Sequence, residues 1–139
     1  MGLILDSSVL VAAERQGQNA RQVLNAIADH LPAPETTIGI SVITLVELAH
    51  GAARAVTPER KVKRQSFIEE LLMAMPVYPI TTPLALLAGR IDGENQARGT
   101  RVPLADLFIG VTALQLGFSV GTSNLRHFEQ IPQLSVVKM

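Results

Sequence analysis

The sequence contains no cysteine. Disulfide bonds and thiolate metal sites are therefore excluded. The absence is typical of proteins in a reducing compartment, so we expect a cytoplasmic location. Aromatic residues make up only 4% of the chain. Stacking of aromatic side chains on nucleic-acid bases is therefore not expected to dominate recognition of such a partner.

Charged residues are also sparse, and the chain carries no net charge. Twelve basic residues balance twelve acidic ones, so the composition shows no global bias toward nucleic acid. Two long uncharged runs, residues 71–89 and 107–125, approach the length of a membrane span. Prolines interrupt the first run and glycines the second, which indicates buried core elements. We expect a soluble protein without a signal peptide and without a membrane partner.

Short apolar runs alternate with helical patterns along all 139 residues. No repeat, low-complexity tract or linker divides the chain, which predicts a single domain over residues 1–139. Strands separated by helices predict an α/β fold with a largely parallel central sheet. The predicted strands are residues 3–5, 38–41, 77–80, 118–122 and 134–137. The predicted helices are residues 9–15, 19–30, 42 to about 53, 58 to about 75, 82–98 and 103–116, with a loop over 31–37.

Capping residues mark several predicted helix ends. Thr57 and Thr81 precede first turns that contain proline, and Gly117 is predicted to end its helix in the left-handed conformation. Ser7 and Ser8 are candidate N-caps of the first helix.

Three carboxylates lie in apolar surroundings. Asp6 follows the first predicted strand, Glu47 lies among leucine, valine and alanine, and Asp106 lies in the run PLADLFIGVTALQLG. Burying a lone carboxylate costs several kcal/mol or more, unless it is paired, hydrogen-bonded or bound to a metal. Simpler interpretations exist for each: a turn residue for Asp6, a solvated helix position for Glu47, and an ion pair with Arg101 for Asp106.

We interpret the three acids as ligands that converge on one divalent cation. Oxygen ligands suit Mg²⁺ or Mn²⁺ rather than zinc. Like charges brought so close would repel one another strongly without the ion. The hypothesis therefore requires residues 6, 47 and 106 to meet in the folded chain.

Four segments, in the order ILDSSVL, TLVELAHG, PLADLFIGVTALQLG and GTSNLRHFEQIP, resemble the PIN-domain ribonucleases, specifically the VapC toxins of bacterial toxin–antitoxin pairs. The resemblance covers residues 3–137. It implies a three-layer α/β/α sandwich and Mg²⁺-dependent cleavage of RNA phosphodiesters at a metal site formed by Asp6, Glu47 and Asp106. It also implies a homodimer and a VapB-like antitoxin that blocks the metal site.

Asn124 lies where many members of that family have a fourth acid. An amide can ligate a metal through its oxygen but brings no charge, so a second tightly held ion is not expected without RNA phosphate to complete it. We count Asn124 with the three acids as a catalytic candidate. Ser7 and Thr122 are predicted to position the carboxylates, a bound water or Asn124. Thr122 is equally well explained as a residue that ends a strand.

A local basic cluster contains Arg54, Lys61, Lys63 and Arg64. Such a cluster is most often a solvated helix face. The alternative is that it binds RNA phosphates, because a neutral protein needs some local basic surface to do so.

Two other functions compete with the nuclease. The first is a catalytically weak PIN-like domain that binds RNA or protein, which the neutral Asn124 favours. The second is a receiver-like or phosphohydrolase domain phosphorylated on Asp6, although the second aspartate of its D-x-D signature is missing. His50 completes a single E-x-x-H spacing with Glu47, which we discount as a di-iron motif. The sequence shows no partner for His127.

Overall fold

The structure is a computed structural model that describes residues 1–31, 33 and 36–139. The loop predicted over residues 31–37 includes Pro32, Pro34 and Glu35, which lie outside the described residues. The strands are β1 (Gly2–Leu5), β2 (Thr37–Ser41), β3 (Val77–Tyr78), β4 (Ser119–Thr122) and β5 (Val136–Lys138). The helices are α1 (Ser7–Arg15), α2 (Ala20–Ala28), α3 (Val42–Ala53), α4 (Pro58–Ala74), α5 (Thr82–Ala97), α6 (Leu104–Leu116) and α7 (Leu125–Phe128).

The five strands form one parallel sheet in the order β3-β2-β1-β4-β5. The central strand β1 is buried along its whole length and pairs with β2 on one side and β4 on the other. Ile4, for example, lies beside Gly39 in one pairing and beside Val120 in the other. Both faces of a parallel sheet are covered by helices, which explains why the central strand, GLIL, is a continuous apolar run. The predicted parallel sheet is confirmed.

Two hydrophobic cores lie on opposite faces of the sheet. Leu3 and Leu5 of β1 pack into the core formed with α1 to α4, whereas Ile4 packs into the core formed with α5, α6 and α7. This alternation follows from the two-residue period of side chains along a strand. The result is a three-layer α/β/α sandwich, as the resemblance implied.

The predicted helix ends are confirmed where local chemistry determines them. The hydroxyls of Thr57 and Thr81 accept hydrogen bonds from the amides three residues on, at 3.2 and 3.3 Å. Gly117 has φ 71°, the left-handed conformation that glycine adopts without steric penalty.

The prediction that Ser7 and Ser8 cap the first helix is wrong. Helix α1 begins at Ser7, and Asp6 occupies the N-cap position without a side-chain capping bond. Both serine hydroxyls donate to nearby carboxylates instead. Both serines lie within the first turn, so neither can take the N-cap position that precedes the helix.

Two predicted strands were misplaced, and one short helix was missed. Strand β3 has two residues rather than four, because Pro79 lacks the N–H that would continue the ladder. Strand β5 begins at Val136 rather than at residue 134, because Gln133 turns the chain with φ 65°. Helix α7 has no counterpart in the prediction. No described helix combines the length and the apolar character needed to cross a membrane.

Two helical glycines differ in what surrounds them. A Cβ added to the buried Gly110 would collide with Ile131 and lie 3.2 Å from Cδ2 of Leu134, whereas Gly89 has no heavy atom within 4 Å of that position. We expect G110A to lower the free energy of unfolding by about 1–3 kcal/mol through overpacking. The control G89A should raise it by about 0.5–1 kcal/mol, since alanine favours a helix. Urea unfolding measures both, and equal effects of the two substitutions would contradict this account of the α6 packing.

Candidate active site

The carboxyl ends of β1 and β4 lie under a cleft of about 460 Å³. Asp6 follows β1 and lines the cleft with Glu47 from α3, Asp106 from α6 and Asn124, which follows β4. Ligands of open parallel sheets bind at this edge, where loops from neighbouring strands diverge. The four predicted catalytic side chains, separated by up to 118 positions in sequence, therefore share one cleft.

Asp6 is the most enclosed of the three acids, with only 4% of its surface exposed. Its Oδ2 accepts hydrogen bonds from the hydroxyls of Ser8 and Thr122, each at 2.8 Å. Its amide donates to the carbonyl of Gly121 at 2.9 Å, which extends the β1–β4 ladder by one residue. The backbone and two hydroxyls thus hold the Asp6 carboxylate at the base of the cleft.

Glu47 reaches the cleft from an exposed position on α3. The apolar sequence around Glu47 does not bury this part of α3, because even its neighbour Val46 is 63% exposed. The hydroxyl of Ser7 donates to Oε1 of Glu47 at 3.1 Å and lies 3.5 Å from Oδ1 of Asp6. Partial burial raises the pKa of Glu47; the Ser7 hydrogen bond lowers it, and the charges of Asp6 and Asp106 raise it further.

Asp106 lies in the first turn of α6, with 13% of its side chain exposed. Burial is the main cause that raises the pKa of Asp106, and the charge of Asp6 adds to it. His127 opposes this rise, since its Nδ1 lies 2.6 Å from Oδ2 of Asp106. The alternative partner considered above, Arg101, does not pair with Asp106 among the described residues.

Asn124 begins the turn between β4 and α7. The backbone amide of Asn124 donates to the hydroxyl of Thr122 at 2.9 Å, and that hydroxyl in turn donates to Asp6. The side-chain nitrogen of Asn124 lies 3.1 Å from Nε2 of His127, one helical turn away. Sequence reasoning missed His127 because it did not predict α7. The three-residue spacing of Asn124 and His127 after a strand end is the signal that could have revealed it.

The donor set fits a hard divalent cation in its chemistry, since it consists of carboxylate oxygens with an amide oxygen nearby. The excess of negative charge supports the same fit, because Asp6 raises the pKa of both Glu47 and Asp106. In the described part of the chain, however, no three His, Cys, Asp or Glu side chains stand close enough together to hold an ion as they are placed. Side chains must therefore move for a cation to bind.

The predicted basic cluster does not line this cleft. Arg54, Lys61 and Lys63 are exposed, and Arg64 lines a separate cavity of about 160 Å³ beside Glu47. There the guanidinium of Arg64 donates to the carbonyl of Gly51 at 2.6 Å and lies 3.5 Å from Glu14.

Arg15, which the sequence analysis did not consider, lines both cavities from the last turn of α1. It is exposed and places a positive charge at the rim of the acidic cleft.

Comparison with known proteins places this architecture in a family. The model of the PIN domain matches residues 3–134, which include every residue of the cleft discussed above. The chain belongs to the PIN domain family. This membership is incompatible with the receiver-like alternative.

Among individual relatives of this PIN domain, the tRNA(fMet)-specific endonuclease VapC of Salmonella typhimurium is 36% identical over 97 residues, which cover 70% of this chain and 71% of that protein. Ribonuclease VapC1 of Rickettsia felis is 27% identical over 137 residues, covering 99% and 96%. The crystal structure of DNA-bound VapBC from Salmonella typhimurium aligns with a TM-score of 0.80 at 28% identity, covering 99% of this chain and 98% of that one.

The raised pKa values predict how stability depends on pH when a chelator removes divalent ions. Unfolded Asp and Glu side chains ionise near 3.8 and 4.5, whereas Asp106 and Glu47 retain their protons to higher pH in the folded chain. The folded state therefore binds more protons in this window, and its stability falls as pH rises from about 4 through the raised pKa values. Urea unfolding between pH 4 and 7 should show a shallower fall for the E47Q/D106N double variant. Identical pH dependence in the two proteins would contradict the pKa shifts.

Proposed function

We propose that this PIN domain is the endoribonuclease toxin of a toxin–antitoxin pair and hydrolyses RNA phosphodiesters at the cleft described above. The observation that carries the proposal is that Asp6, Glu47, Asp106 and Asn124 reach one cleft from four separate parts of a chain whose residues 3–134 match the PIN domain. The names of its relatives, a tRNA-specific endonuclease and a ribonuclease, support the same reaction class.

PIN-domain ribonucleases depend in general on divalent metal ions. For this chain we propose Mg²⁺, with Mn²⁺ as the alternative, held by Asp6, Glu47 and Asp106. When bound, the ion lowers the pKa of a coordinated water and offsets negative charge on the phosphate. The residues around it maintain the ligands: Ser8 and Thr122 fix Oδ2 of Asp6, and Ser7 bonds to Glu47.

The proposed partners are an RNA substrate and a VapB-like antitoxin. A solved structure similar to this chain is a VapBC complex bound to DNA, which supports a protein partner that also contacts DNA. A homodimer and a cytoplasmic location remain predictions from the family resemblance and from the lack of cysteine. Extension of the single domain to all 139 residues likewise remains a prediction.

The first test replaces a proposed ligand. D106N removes one negative charge and keeps the side-chain shape, so Mg²⁺-dependent RNA cleavage should fall at least about 100-fold because transition-state charge is no longer stabilised. The matched control is D92N, since Asp92 lies on α5 and accepts a hydrogen bond from Gln96 outside the cleft. Cleavage by D92N should stay within about twofold of wild type. The measurement is the initial rate of cleavage of total RNA with Mg²⁺ and with chelator.

Cleavage by D106N at the wild-type rate would overturn the assignment of the site. A wild-type chain that binds RNA but cleaves none with Mg²⁺ or Mn²⁺ would instead favour the catalytically weak binding domain. Circular dichroism of each variant separates loss of activity from loss of fold.

The second test distinguishes Arg15 from the predicted basic cluster as the contact for RNA phosphates. In the D106N background, which keeps the RNA intact, R15A should reduce the slope of log affinity against log salt by about 0.7, the value for one phosphate on a single strand. R21A is the control, because Arg21 is exposed on α2 outside the cleft. Filter binding measures the slopes over a range of about 50 to 300 mM salt, in which counterion release changes the affinity strongly. A larger effect from K61A/K63A than from R15A would favour the predicted cluster instead.

A further inference from the structure

His127 connects two of the proposed site residues. Its Nδ1 lies 2.6 Å from Oδ2 of Asp106, and its Nε2 lies 3.1 Å from the side-chain nitrogen of Asn124. The imidazole also lines the cleft. The function proposed above gives this histidine no role.

The direction of each hydrogen bond follows from what the groups can donate. An ionised carboxylate only accepts, so Nδ1 must carry the proton that is shared with Asp106. The side-chain nitrogen of Asn124 lies 3.1 Å from Nε2 and 3.2 Å from Nδ1, so it packs against the ring and does not lie along the lone pair of Nε2. His127 therefore donates to Asp106, and Asn124 restrains the ring by contact.

The short helix α7 keeps the imidazole in place. Phe128, the next residue, is fully buried in the core that includes α6. The backbone amide of His127 also donates to the carbonyl of Asn124 at 3.3 Å. The ring is thus held at its backbone, by the Nδ1 bond to Asp106 and by contact with Asn124, although 44% of its side chain is exposed.

We propose that His127 is a positioning residue, whose Nδ1–H holds one oxygen of Asp106 and so orients the other oxygen toward the cation. Asn124 acts through His127 by fixing the ring, rather than as a ligand in its own right. The proposal rests on the proposed function, in which Asp106 binds a metal. Partners that orient a metal ligand in this way typically change metal affinity or activity by about 10–100-fold when they are removed.

Three substitutions at position 127 separate positioning from chemistry by the ring. The amide nitrogen of asparagine lies as many bonds from Cα as Nδ1 does, so H127N keeps a donor for Asp106. In H127Q the nitrogen corresponds to Nε2 instead, and H127A has no donor. His50, on the exposed surface of α3 outside the cleft lining, gives the matched control H50N.

The primary readout is Mn²⁺ affinity of the full chain, measured by titration calorimetry without RNA. We expect H127A and H127Q to weaken Mn²⁺ binding by about tenfold or more, and H127N and H50N to stay within about threefold of wild type. RNA cleavage at saturating metal should follow the same order. Wild-type affinity in H127A would overturn the proposal. Loss of cleavage in H127N with normal affinity would also overturn it, because the ring would then take part in the chemistry.

A second readout does not depend on metal or RNA. The chain has three histidines, so nitrogen NMR of the metal-free protein can assign each ring by its single variant. His127 should carry its proton on Nδ1, and a ring protonated on Nε2 alone would overturn the proposal even if the chain proved to bind no metal. A wild-type chain that cleaves no RNA would refute the proposed function, while the NMR and Mn²⁺ results would still decide the role of His127.

Discussion

The site is built around a carboxylate that the fold encloses without a positive partner among the described residues. Asp6 is only 4% exposed at the end of the central strand, and its described contacts are hydroxyls and backbone. Hydroxyl bonds lower the energy of a buried charge but do not cancel it. Its field therefore extends into the cleft, where it raises the pKa of both Glu47 and Asp106. A cation bound in the cleft offsets both the free-energy cost of burying the Asp6 charge and the repulsion among the three acids.

The topology explains how residues so distant in sequence share this field. Strand β1 comes first in the chain, β2 pairs with it on one side, and β4 pairs with it on the other side much later in the sequence. Strands β1 and β4 are therefore neighbours in space although they are more than 110 residues apart. All strands run in parallel, and their carboxyl ends therefore meet at one edge. Helix α6 then brings Asp106 to the same edge at its first turn, where the helix dipole favours a negative charge.

Sequence reasoning predicted the features that depend on neighbours along the chain. The apolar strands, the threonine-capped helices and the glycine end of α6 all follow from local chemistry, and the three acids stand out because charge is rare in such runs. It failed where tertiary contacts decide the outcome. Neither Ser7 nor Ser8 is the N-cap of α1, although the contact with the carboxylates that was predicted for Ser7 is present. Arg15 carries no local signature, since its importance comes from which cleft it faces. The spacing of Asn124 and His127 could have revealed His127 only if helix α7 had been predicted.

The neutral residue at position 124 has an electrostatic consequence for the proposed site. Three carboxylates and one divalent ion leave a net charge of about −1, whereas a fourth carboxylate would leave about −2 and attract a second ion. Asn124 instead directs its amide to His127, which lowers the pKa of Asp106 rather than raising it. The arrangement limits the negative charge that an approaching phosphate must meet, which matters in a chain with no net positive charge to attract RNA. The charge balance therefore favours one ion per chain, with the substrate phosphate supplying any further ligands.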